Sequence, residues 1–328
     1  MTRIALNGLG RIGKLVLRRL TDMGVPLALI NDATGTPEQH ALWLEFDSVH
    51  GRWRTPVGHK DGALVIAGAD IPLTQAKRIE DLPLKAMGID VVIDCTGVFK
   101  TAEKVAPYFE AVPRVVVSAP VPQALNIVYG VNHDLYDGSQ RLITAASCTT
   151  NCLAPVVKVI HEGLGIKHGS ITTIHDVTNT QTIVDRPAKD MRRARSALLN
   201  LIPTTTGSAT AITAIFPELK GRLNGHAVRV PLLNGSLTDC VFEVARETSA
   251  VEVNALLQKA AEGPLKGILG FETRPLVSSD YTNDDRSAII DAASTMVIAG
   301  TQVKIYAWYD NEWGYACRLA DIVRMVAG

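Results

Sequence analysis

A cysteine and a histidine are the side chains of this sequence best suited to covalent chemistry. Cys148 lies in the segment Ala146-Ser147-Cys148-Thr149-Thr150-Asn151-Cys152, where a strand is predicted to end and a helix to begin. A helix dipole favours a thiolate at its N-terminus, and only the thiolate is nucleophilic. His175, in the segment 173–179, supplies a base that can activate the thiol. A lone cysteine is usually a small core residue, as we expect for Cys152, but Cys148 together with His175 predicts a nucleophile.

A glycine-rich turn near the start of the chain predicts a cofactor site. Gly8, Gly10 and Gly13 stand between a short apolar strand and a helix, and Asp32 ends the next strand. Such glycines let the backbone approach a pyrophosphate, which is bound by the N–H groups at the start of the helix. A carboxylate at Asp32 would bind the adenosine ribose and repel a 2′-phosphate, so we expect NAD. Arg186 could partly offset that repulsion, which leaves open how far NADP is admitted.

The elements that position these residues differ between the two halves of the chain. Short apolar strands and helices alternate in the first half, which predicts a Rossmann-type doubly wound parallel sheet. Longer β-type runs with flanking helices predict a mixed-sheet α+β domain in the second half. The predicted strands are 3–6, 26–30, 90–94, 114–118, 141–144, 169–175, 226–231, 236–244 and 302–308, and the predicted helices include 12–20, 210–216 and 251–261. We expect a dinucleotide-binding domain at 1–147, to which a C-terminal helix at 312–328 returns, and a catalytic domain at 148–311.

The bulk composition argues against several classes of function. A length of 328 residues suits two domains. Lysine plus arginine and aspartate plus glutamate both number 33, so no net charge attracts nucleic acid or an anionic membrane. The apolar runs are far shorter than the roughly 20 residues that span a bilayer, and no secretory signal is recognised, so we expect a cytoplasmic protein. The five cysteines form no CxxC pair, and we expect no metal.

Segments along the whole chain resemble the signatures of one enzyme family. They are, in order, Asn7-Gly8-Leu9-Gly10-Arg11-Ile12-Gly13, Asp47-Ser48-Val49-His50-Gly51, Gly130-Val131-Asn132-His133-Asp134, Ser147-Cys148-Thr149-Thr150-Asn151, Arg192-Arg193-Ala194-Arg195, Asn224-Gly225 with Arg229-Val230-Pro231, and Trp308-Tyr309-Asp310-Asn311-Glu312-Trp313-Gly314-Tyr315. They resemble the phosphorylating glyceraldehyde-3-phosphate dehydrogenases. The cysteine and tryptophan segments are the most specific of these motifs.

The resemblance implies roles for individual residues. Cys148 would be the nucleophile, and His175 its activator and the acid/base for the substrate hydroxyl. The implied cofactor-binding residues are Gly8, Gly10, Arg11, Ile12, Gly13, Asp32, Lys77, Ser118 and Asn311, the last of which would orient the nicotinamide carboxamide. The implied anion-binding residues are Thr178 and Arg229 for the substrate's phosphate, Ser147, Thr149, Thr206 and Gly207 for the attacking phosphate, and Arg195 for either. Hydroxyls, amides and arginines suit a doubly charged oxyanion without a metal.

The implied reaction is the NAD-dependent oxidation of glyceraldehyde 3-phosphate through a thioester on Cys148, which inorganic phosphate then attacks. An erythrose-4-phosphate dehydrogenase would have the same fold and the same Cys–His pair and remains an alternative. A non-catalytic binding protein is a further alternative, against which the intact Cys148, His175, Thr178 and Arg229 argue. The segment 178–201 is long, arginine-rich and weakly patterned, as interface loops are, and the resemblance implies a homotetramer.

Several positions depart from the pattern usual in the family. Asp176 and Thr180 stand where a serine and an aspartate are usual, and Thr210 stands where a lysine is usual. The segments 46–53, 202–210 and 230–234 are similar to a subgroup associated with arsenic resistance. We therefore expect arsenate as the physiological attacking oxyanion, giving 1-arseno-3-phosphoglycerate, and the ordinary glycolytic role with phosphate is the alternative.

Overall fold

The computed structural model describes residues 2–328, apart from the side chains of Ala209 and Thr210. The side chain that replaces the usual lysine at position 210 thus lies outside the described residues. The chain divides into two compact units: the first comprises residues up to Ser147 together with Tyr315–Gly328, and the second comprises Cys148–Gly314.

The elements are joined by connections of different lengths, of which the stretch 176–201 is the longest. The strands are β1 (Ile4–Asn7), β2 (Leu29–Asn31), β3 (Phe46–Asp47), β4 (Gly51–Arg52), β5 (Val57–Lys60), β6 (Ala63–Ile66), β7 (Ala69–Thr74), β8 (Val91–Asp94), β9 (Arg114–Val117), β10 (Leu125–Asn126), β11 (Leu142–Thr144), β12 (Ile166–His175), β13 (Ile202–Thr205), β14 (Leu223–Arg229), β15 (Ser236–Val244), β16 (Leu269–Glu272), β17 (Ala288–Asp291), β18 (Met296–Ile298) and β19 (Gln302–Tyr309). The α-helices are α1 (Arg11–Asp22), α2 (Pro37–Glu45), α3 (Ala102–Val105), α4 (Cys148–Leu164), α5 (Ser208–Ile215), α6 (Ala250–Glu262) and α7 (Trp313–Ala327).

The first unit is built on a nine-stranded sheet with the order β10-β11-β9-β8-β1-β2-β7-β6-β5. Neighbouring strands from β10 to β7 are parallel, which confirms the predicted doubly wound sheet. Every residue of β1 and β8 is buried, because helices and loops cover both faces of such a sheet. The edge strands β5 and β6 are antiparallel, which the sequence analysis did not predict; left-handed glycines at Gly62 and Gly68 allow the tight turns of this meander.

The C-terminal helix belongs mostly to the first unit. The Thr2 hydroxyl donates a hydrogen bond of 2.7 Å to the carbonyl of Ala327, and the Arg114 guanidinium donates one of 3.2 Å to the carbonyl of Val326. Apolar residues at helical spacing on α7, including Leu319 and Val323, are fully buried. The predicted return of this helix to the first domain is confirmed.

The second unit is built on a mixed sheet with the order β13-β14-β12-β15-β19-β17-β16, and β18 pairs with β19. Strand β12 runs parallel to β14 and antiparallel to β15, so its C-terminal end lies beside that of β14. This confirms the predicted mixed-sheet domain. Cys152 lies inside the core of this unit, where burial raises the pKa of its thiol to about 12.

Some predicted element boundaries were wrong by a few residues. The strand expected to begin at Pro26 begins at Leu29. Proline has no N–H to give to a ladder, which excludes Pro26 itself. The strand expected to reach Pro231 ends at Arg229 for the same reason. The helix expected to begin at position 210 begins at Ser208, directly after Gly207.

Candidate active site

The predicted nucleophile and its base lie close together in the second unit. Cys148 is the first residue of α4, and His175 is the last residue of β12. The Cys148 Sγ atom is 3.7 Å from the His175 Nε2 atom. The thiol is partly exposed, whereas the imidazole is buried. The start of the helix directs its positive dipole end at the thiol, and the end of the strand directs the ring at the same sulfur atom.

Each of these two groups shifts the ionisation of the other. Burial alone would raise the pKa of the Cys148 thiol, but the hydrogen bond and the charge of His175, with a smaller effect of Arg229, lower it below its ordinary value. Burial lowers the pKa of His175, yet hydrogen bonds to Asp176 and Cys148 raise it to about 9. The arrangement therefore favours a thiolate–imidazolium ion pair at neutral pH.

The second ring nitrogen of His175 is held by the residue that follows it. Nδ1 lies 2.6 Å from the Asp176 Oδ1 atom and 2.9 Å from the Asp176 main-chain oxygen. Arg229, the last residue of β14, places Nη1 2.6 Å from the same nitrogen and 3.0 Å from that main-chain oxygen. A guanidinium can only donate, and an imidazolium has no acceptor nitrogen. We therefore assign the Nδ1 proton to Asp176 and the Arg229 hydrogen bond to the carbonyl.

Asn311, predicted to bind the nicotinamide, belongs to the same buried network. Its Nδ2 atom donates to the Asp176 Oδ2 atom at 2.8 Å, and its Oδ1 atom accepts from the Ser236 hydroxyl at 2.9 Å. The Asp176 main-chain N–H donates to the Ser236 Oγ atom at 3.2 Å. Asp176, Ser236 and Asn311 are each at most 5% exposed, so these contacts hold the amide in one orientation.

Thr149, predicted to bind the attacking phosphate, contacts an aromatic residue beside His175. Its hydroxyl lies 2.9 Å from the Tyr309 hydroxyl, and the Tyr309 ring stands edge-on to the His175 ring at a centroid distance of 6.1 Å. One hydroxyl of the pair must donate to the other, which leaves the pair one further proton to donate to an anion. Thr206 and Gly207 lie at the start of α5, where the Thr206 Oγ1 atom accepts from the Ser208 N–H at 3.2 Å. Ser147 is partly exposed.

Two arginines of the segment 178–201, Arg193 and Arg195, bind different partners. Arg195 is exposed and pairs with Asp185 at 2.6 Å, away from the contacts of Thr178. Arg193 instead donates to the Thr180 hydroxyl at 2.8 Å, and that hydroxyl lies 2.8 Å from the Thr178 hydroxyl. The charge of Arg193 also contributes to a lowered pKa of Arg229, behind the larger effect of burial. The structure thus brings Arg193, rather than Arg195, towards the residues predicted to bind the substrate's phosphate.

Four of the predicted cofactor residues of the first unit line one cavity of about 250 Å³, namely Gly8, Gly10, Asp32 and Lys77. The other four, Arg11, Ile12, Gly13 and Ser118, are not among its lining residues. Gly8 has a φ of +96°, and a Cβ atom on Gly13 would lie 1.9 Å from the Gly8 carbonyl oxygen, so both positions require glycine. A Cβ atom on Gly10 would meet nothing within 4 Å, so the space beside the helix start is open to a ligand. The N-cap residue Gly10 makes no side-chain cap to α1, and the start of a helix favours a bound anion.

Asp32 is fixed in this cavity by the backbone around it. Its Oδ2 atom accepts from the Leu9 N–H at 2.7 Å, and its Oδ1 atom accepts from the Thr34 N–H at 2.9 Å. Because Oδ1 also accepts from the Thr34 hydroxyl at 3.0 Å, Oδ2 is the oxygen that retains a lone pair for a ribose hydroxyl. The side chain of Arg11 pairs with Asp47, and Arg11 and Ile12 are the first two residues of α1. Ser118 follows β9 directly, and its N–H donates to the Asp94 carbonyl at 2.8 Å.

A dinucleotide-binding sheet and a unit that carries a cysteine–histidine pair together define an NAD-dependent dehydrogenase. Residues 2–102 match the family model described as the NAD binding domain of glyceraldehyde 3-phosphate dehydrogenase, and residues 147–311 match the model of its C-terminal domain. The chain belongs to the glyceraldehyde-3-phosphate dehydrogenase family. The predicted class of enzyme and NAD as its cofactor are thereby confirmed.

Individual relatives are similar over almost their whole length. The chain is 58% identical to glyceraldehyde-3-phosphate dehydrogenase 3 of Nostoc sp., over 99% of this chain and 98% of that protein. It is 46% identical to glyceraldehyde-3-phosphate dehydrogenase 1 of Bacillus cereus, over 98% of this chain and 97% of that protein. It is also 46% identical to the enzyme of Geobacillus stearothermophilus, over 99% and 98% of the two chains.

Within the part of the chain that the structure describes, no group of three or more histidine, cysteine, aspartate or glutamate side chains could hold a metal ion. Within residues 2–328, no helix is both long enough and apolar enough to cross a membrane.

Sequence reasoning gave no role to three residues of the site: Asp176, Arg193 and Tyr309. Alternation along an extended strand would place Asp176 on the face opposite to His175, but β12 ends at His175 and the carboxylate turns back to the ring. The change from the usual serine to an acid next to the base was the signal that could have found it. Arg193 and Tyr309 lay in segments already singled out, but only the folded chain distinguishes them from their neighbours.

Proposed function

We propose that the protein oxidises glyceraldehyde 3-phosphate through a thioester on Cys148 and transfers the acyl group to an inorganic oxyanion. The 3.7 Å contact between Cys148 and His175 is the observation that carries this proposal. A thiolate paired with an imidazolium is a strong nucleophile next to a group that can give and take one proton.

The proton on His175 serves successive steps at the same atom, Nε2. The Cys148 thiolate adds to the aldehyde carbon, and Nε2–H gives its proton to the oxygen of the adduct. The neutral Nε2 then takes that proton back as the carbon is oxidised to the thioester. Attack of phosphate on the thioester expels the Cys148 thiolate beside the re-formed imidazolium, so the ion pair is restored.

Anionic groups of the substrates would be bound by the donors around this pair. Arg229, with Thr178 and Arg193 near it, supplies charge and a hydroxyl for the phosphate of the aldehyde. Thr149 and the start of α5 at Thr206 and Gly207 supply donors for the attacking oxyanion. Arg195 would have to leave Asp185 to serve either anion, and an exposed pair of this kind is weak enough to break.

NAD would be held by the open glycine turn, by Asp32 and by Lys77, and Ser118 and Asn311 are proposed for the nicotinamide end. When bound, NAD accepts the hydride from the oxidised carbon. The residues proposed for the adenosine end fit this group, because the cavity beside α1 is open at Gly10 and is lined by Asp32.

A comparison of aldehydes tests the proposed substrate. We expect kcat/KM to be larger for glyceraldehyde 3-phosphate than for erythrose 4-phosphate when NADH formation is followed with NAD and phosphate. A larger value for erythrose 4-phosphate would assign the chain to the alternative activity. The absence of NADH formation with both aldehydes would favour a non-catalytic binding protein.

We expect NAD to be preferred over NADP by at least about tenfold in kcat/KM, because the Asp32 carboxylate repels a 2′-phosphate. Lys77 and Arg78 also line the cavity, but Arg78 is paired with Asp81. Asp32→Asn should narrow the preference, since it removes the charge and keeps an acceptor for the Leu9 N–H. Asp70→Asn, an exposed change in the same unit, is the control. Equal use of the two cofactors by the wild type would contradict the expectation.

We also propose that arsenate is the physiological oxyanion, giving 1-arseno-3-phosphoglycerate. The similarity of the segments 46–53, 202–210 and 230–234 to the arsenic-associated subgroup supports this proposal. Arsenate and phosphate have the same charge and shape, so hydroxyl and amide donors accept both, and the contacts do not discriminate between them.

An arsenate-sensitive host distinguishes the arsenic role from the glycolytic one. Expression of this protein with a candidate organoarsenical exporter is expected to raise the arsenate tolerance of the host, and the Cys148→Ser variant with the same exporter is the control. If the pair gives no protection although the enzyme is active with phosphate, the ordinary glycolytic role replaces the arsenic role. A neighbouring gene for phosphoglycerate kinase would point the same way.

We propose that the protein is a homotetramer that uses the segment 178–201 as an interface. Met191 and Leu199 in this segment are 84% and 85% exposed, and Ile183, Val184 and Leu201 are exposed as well. Apolar side chains that stand together in water usually mark a contact surface. Light scattering is expected to give four times the chain mass of 35.3 kDa. A stable, active monomer would refute this proposal.

A further inference from the structure

We infer that Asp176 is a positioning residue that extends the Cys148–His175 pair into a Cys–His–Asp triad and holds the amide of Asn311 at the same time. A serine is usual at this position in the family, and this chain has a carboxylate there. The inference deepens the proposed reaction and rests on it for the role of Asn311. The triad itself is testable without substrate or cofactor.

The carboxylate of Asp176 is buried and accepts hydrogen bonds with both oxygens. It is 1% exposed, its Oδ1 atom lies 2.6 Å from His175 Nδ1, and its Oδ2 atom lies 2.8 Å from Asn311 Nδ2. Burial of an isolated carboxylate is costly, so a buried one requires such donors. The acid that replaces the usual serine at position 176 therefore has the hydrogen-bond donors that a buried carboxylate requires, His175 Nδ1 and Asn311 Nδ2.

The negative charge of Asp176 favours a protonated His175, and the positive charge of Arg229 opposes it. The charged and titratable groups that face the ring are Cys148 from α4, Asp176, Arg229 from β14 and Tyr309 from β19. Arg229 Nη1 lies 2.6 Å from Nδ1, and its positive charge disfavours an imidazolium. Asp176 lies equally close with the opposite charge, and it fixes the proton on Nδ1 so that Nε2 faces the sulfur atom.

The charge of Asp176 favours the ion pair as a whole. Repulsion between Asp176 and the Cys148 thiolate opposes thiolate formation, but the carboxylate adjoins Nδ1, on the side of the ring away from the sulfur. Since Coulomb interactions weaken with distance, attraction to the imidazolium exceeds repulsion of the thiolate. Removal of the charge should therefore leave less thiolate at neutral pH.

The second carboxylate oxygen determines how the Asn311 amide is turned. A carboxylate cannot donate, so the Nδ2 side of the amide must face Asp176 and the Oδ1 side must face Ser236. A serine at position 176 could donate as well as accept, so it would not enforce this orientation. The same carboxylate thus fixes which ring nitrogen of His175 faces the sulfur atom. It also fixes the orientation of the Asn311 amide, which is proposed to hold the nicotinamide carboxamide.

The pH dependence of Cys148 alkylation by iodoacetamide tests the triad in the enzyme without substrate or NAD. Asp176→Asn is expected to alkylate about tenfold more slowly at neutral pH, with the midpoint of the profile moved upwards by about one pH unit. Asp239→Asn, which removes a charge paired with Lys304 elsewhere in the same sheet, should keep the wild-type profile.

The outcomes separate a positioning role from a merely structural one. A structural role would lower the number of reactive thiols without moving the midpoint, so a profile of Asp176→Asn that superimposes on the wild type would overturn the inference. Asp176→Ser provides a second variant with the residue usual in the family. Nitrogen NMR of wild-type His175 needs no variant: we expect a proton on Nδ1 at neutral pH, and an unprotonated Nδ1 would overturn the triad. If the profile shifts although neither aldehyde is oxidised, the inference stands and the proposed function falls.

Discussion

Replacement of Cys148 by serine is expected to lower kcat at least about 10³-fold while NAD binding is retained. A serine hydroxyl is not ionised near neutral pH, so neither the adduct nor the acyl intermediate would form at a useful rate. The glycine turn and Asp32 belong to the first unit and do not depend on the thiol. Steady-state NADH formation measures the first effect, and a titration of NAD binding measures the second.

Cys152→Ser is the matched control for this substitution. Cys152 lies one helical turn further along α4, inside the core, where its Sγ atom is 3.8 Å from the carbonyl oxygen of Ala307. A hydroxyl at this position should reduce stability but leave turnover per folded molecule in place. Substantial dehydrogenase activity of Cys148→Ser, or an equal loss in Cys152→Ser, would contradict the assignment of the nucleophile.

Replacement of His175 by asparagine is expected to lower kcat about 10²–10⁴-fold and to change the pH profile of the thiol. In the wild type the thiolate is present above the lowered pKa of Cys148, and His175 keeps its proton up to a pKa of about 9, so the ion pair exists between these two values. Without the imidazolium, the thiol should ionise only at or above its ordinary pKa of about 8.5. Alkylation of Cys148 at increasing pH measures this shift.

His168→Asn is the control for the histidine substitution, because His168 lies on the same strand β12 with an exposed side chain. It should leave both kcat and the alkylation profile as in the wild type. If His175→Asn retains the wild-type profile, His175 does not support the thiolate, and the pH dependence must arise from the helix dipole and Arg229.

The sequence predicted the fold well where the signal is local. Gly8, Gly10 and Gly13 lie between a buried strand and a helix. The strand, the turn and the helix can each be predicted from a few adjacent residues. The antiparallel pairs β5–β6 and β6–β7 were not predicted. These strands are partly exposed at the edge of the sheet, and apolar and polar residues alternate only weakly along their sequence. Whether an edge strand forms depends on the strand with which it pairs, and the pattern of a single sequence does not identify that partner.

The site was predictable for residues in specific motifs and less so for those positioned by tertiary contacts. Cys148 and His175 combine reactive side chains with element boundaries, so their proximity followed from the predicted strand and helix ends. The end of β12 at His175 was predicted, but the course of the backbone beyond it, which turns the Asp176 carboxylate back to the ring, was not. The different directions of Arg193 and Arg195 depend on how the segment 178–201 folds, and this segment has little regular secondary structure to predict.

The burst of NADH in the absence of phosphate and arsenate tests the central claim most directly, since it counts thioesters formed on Cys148. We expect rapid mixing of the enzyme with NAD and glyceraldehyde 3-phosphate to release about one NADH per active site, followed by a slow phase, because the thioester waits for an attacking anion. Addition of phosphate should then start continuous turnover. Continuous NADH formation without either anion at the rate seen with phosphate, or the absence of a burst in an enzyme that turns over with phosphate, would contradict the account.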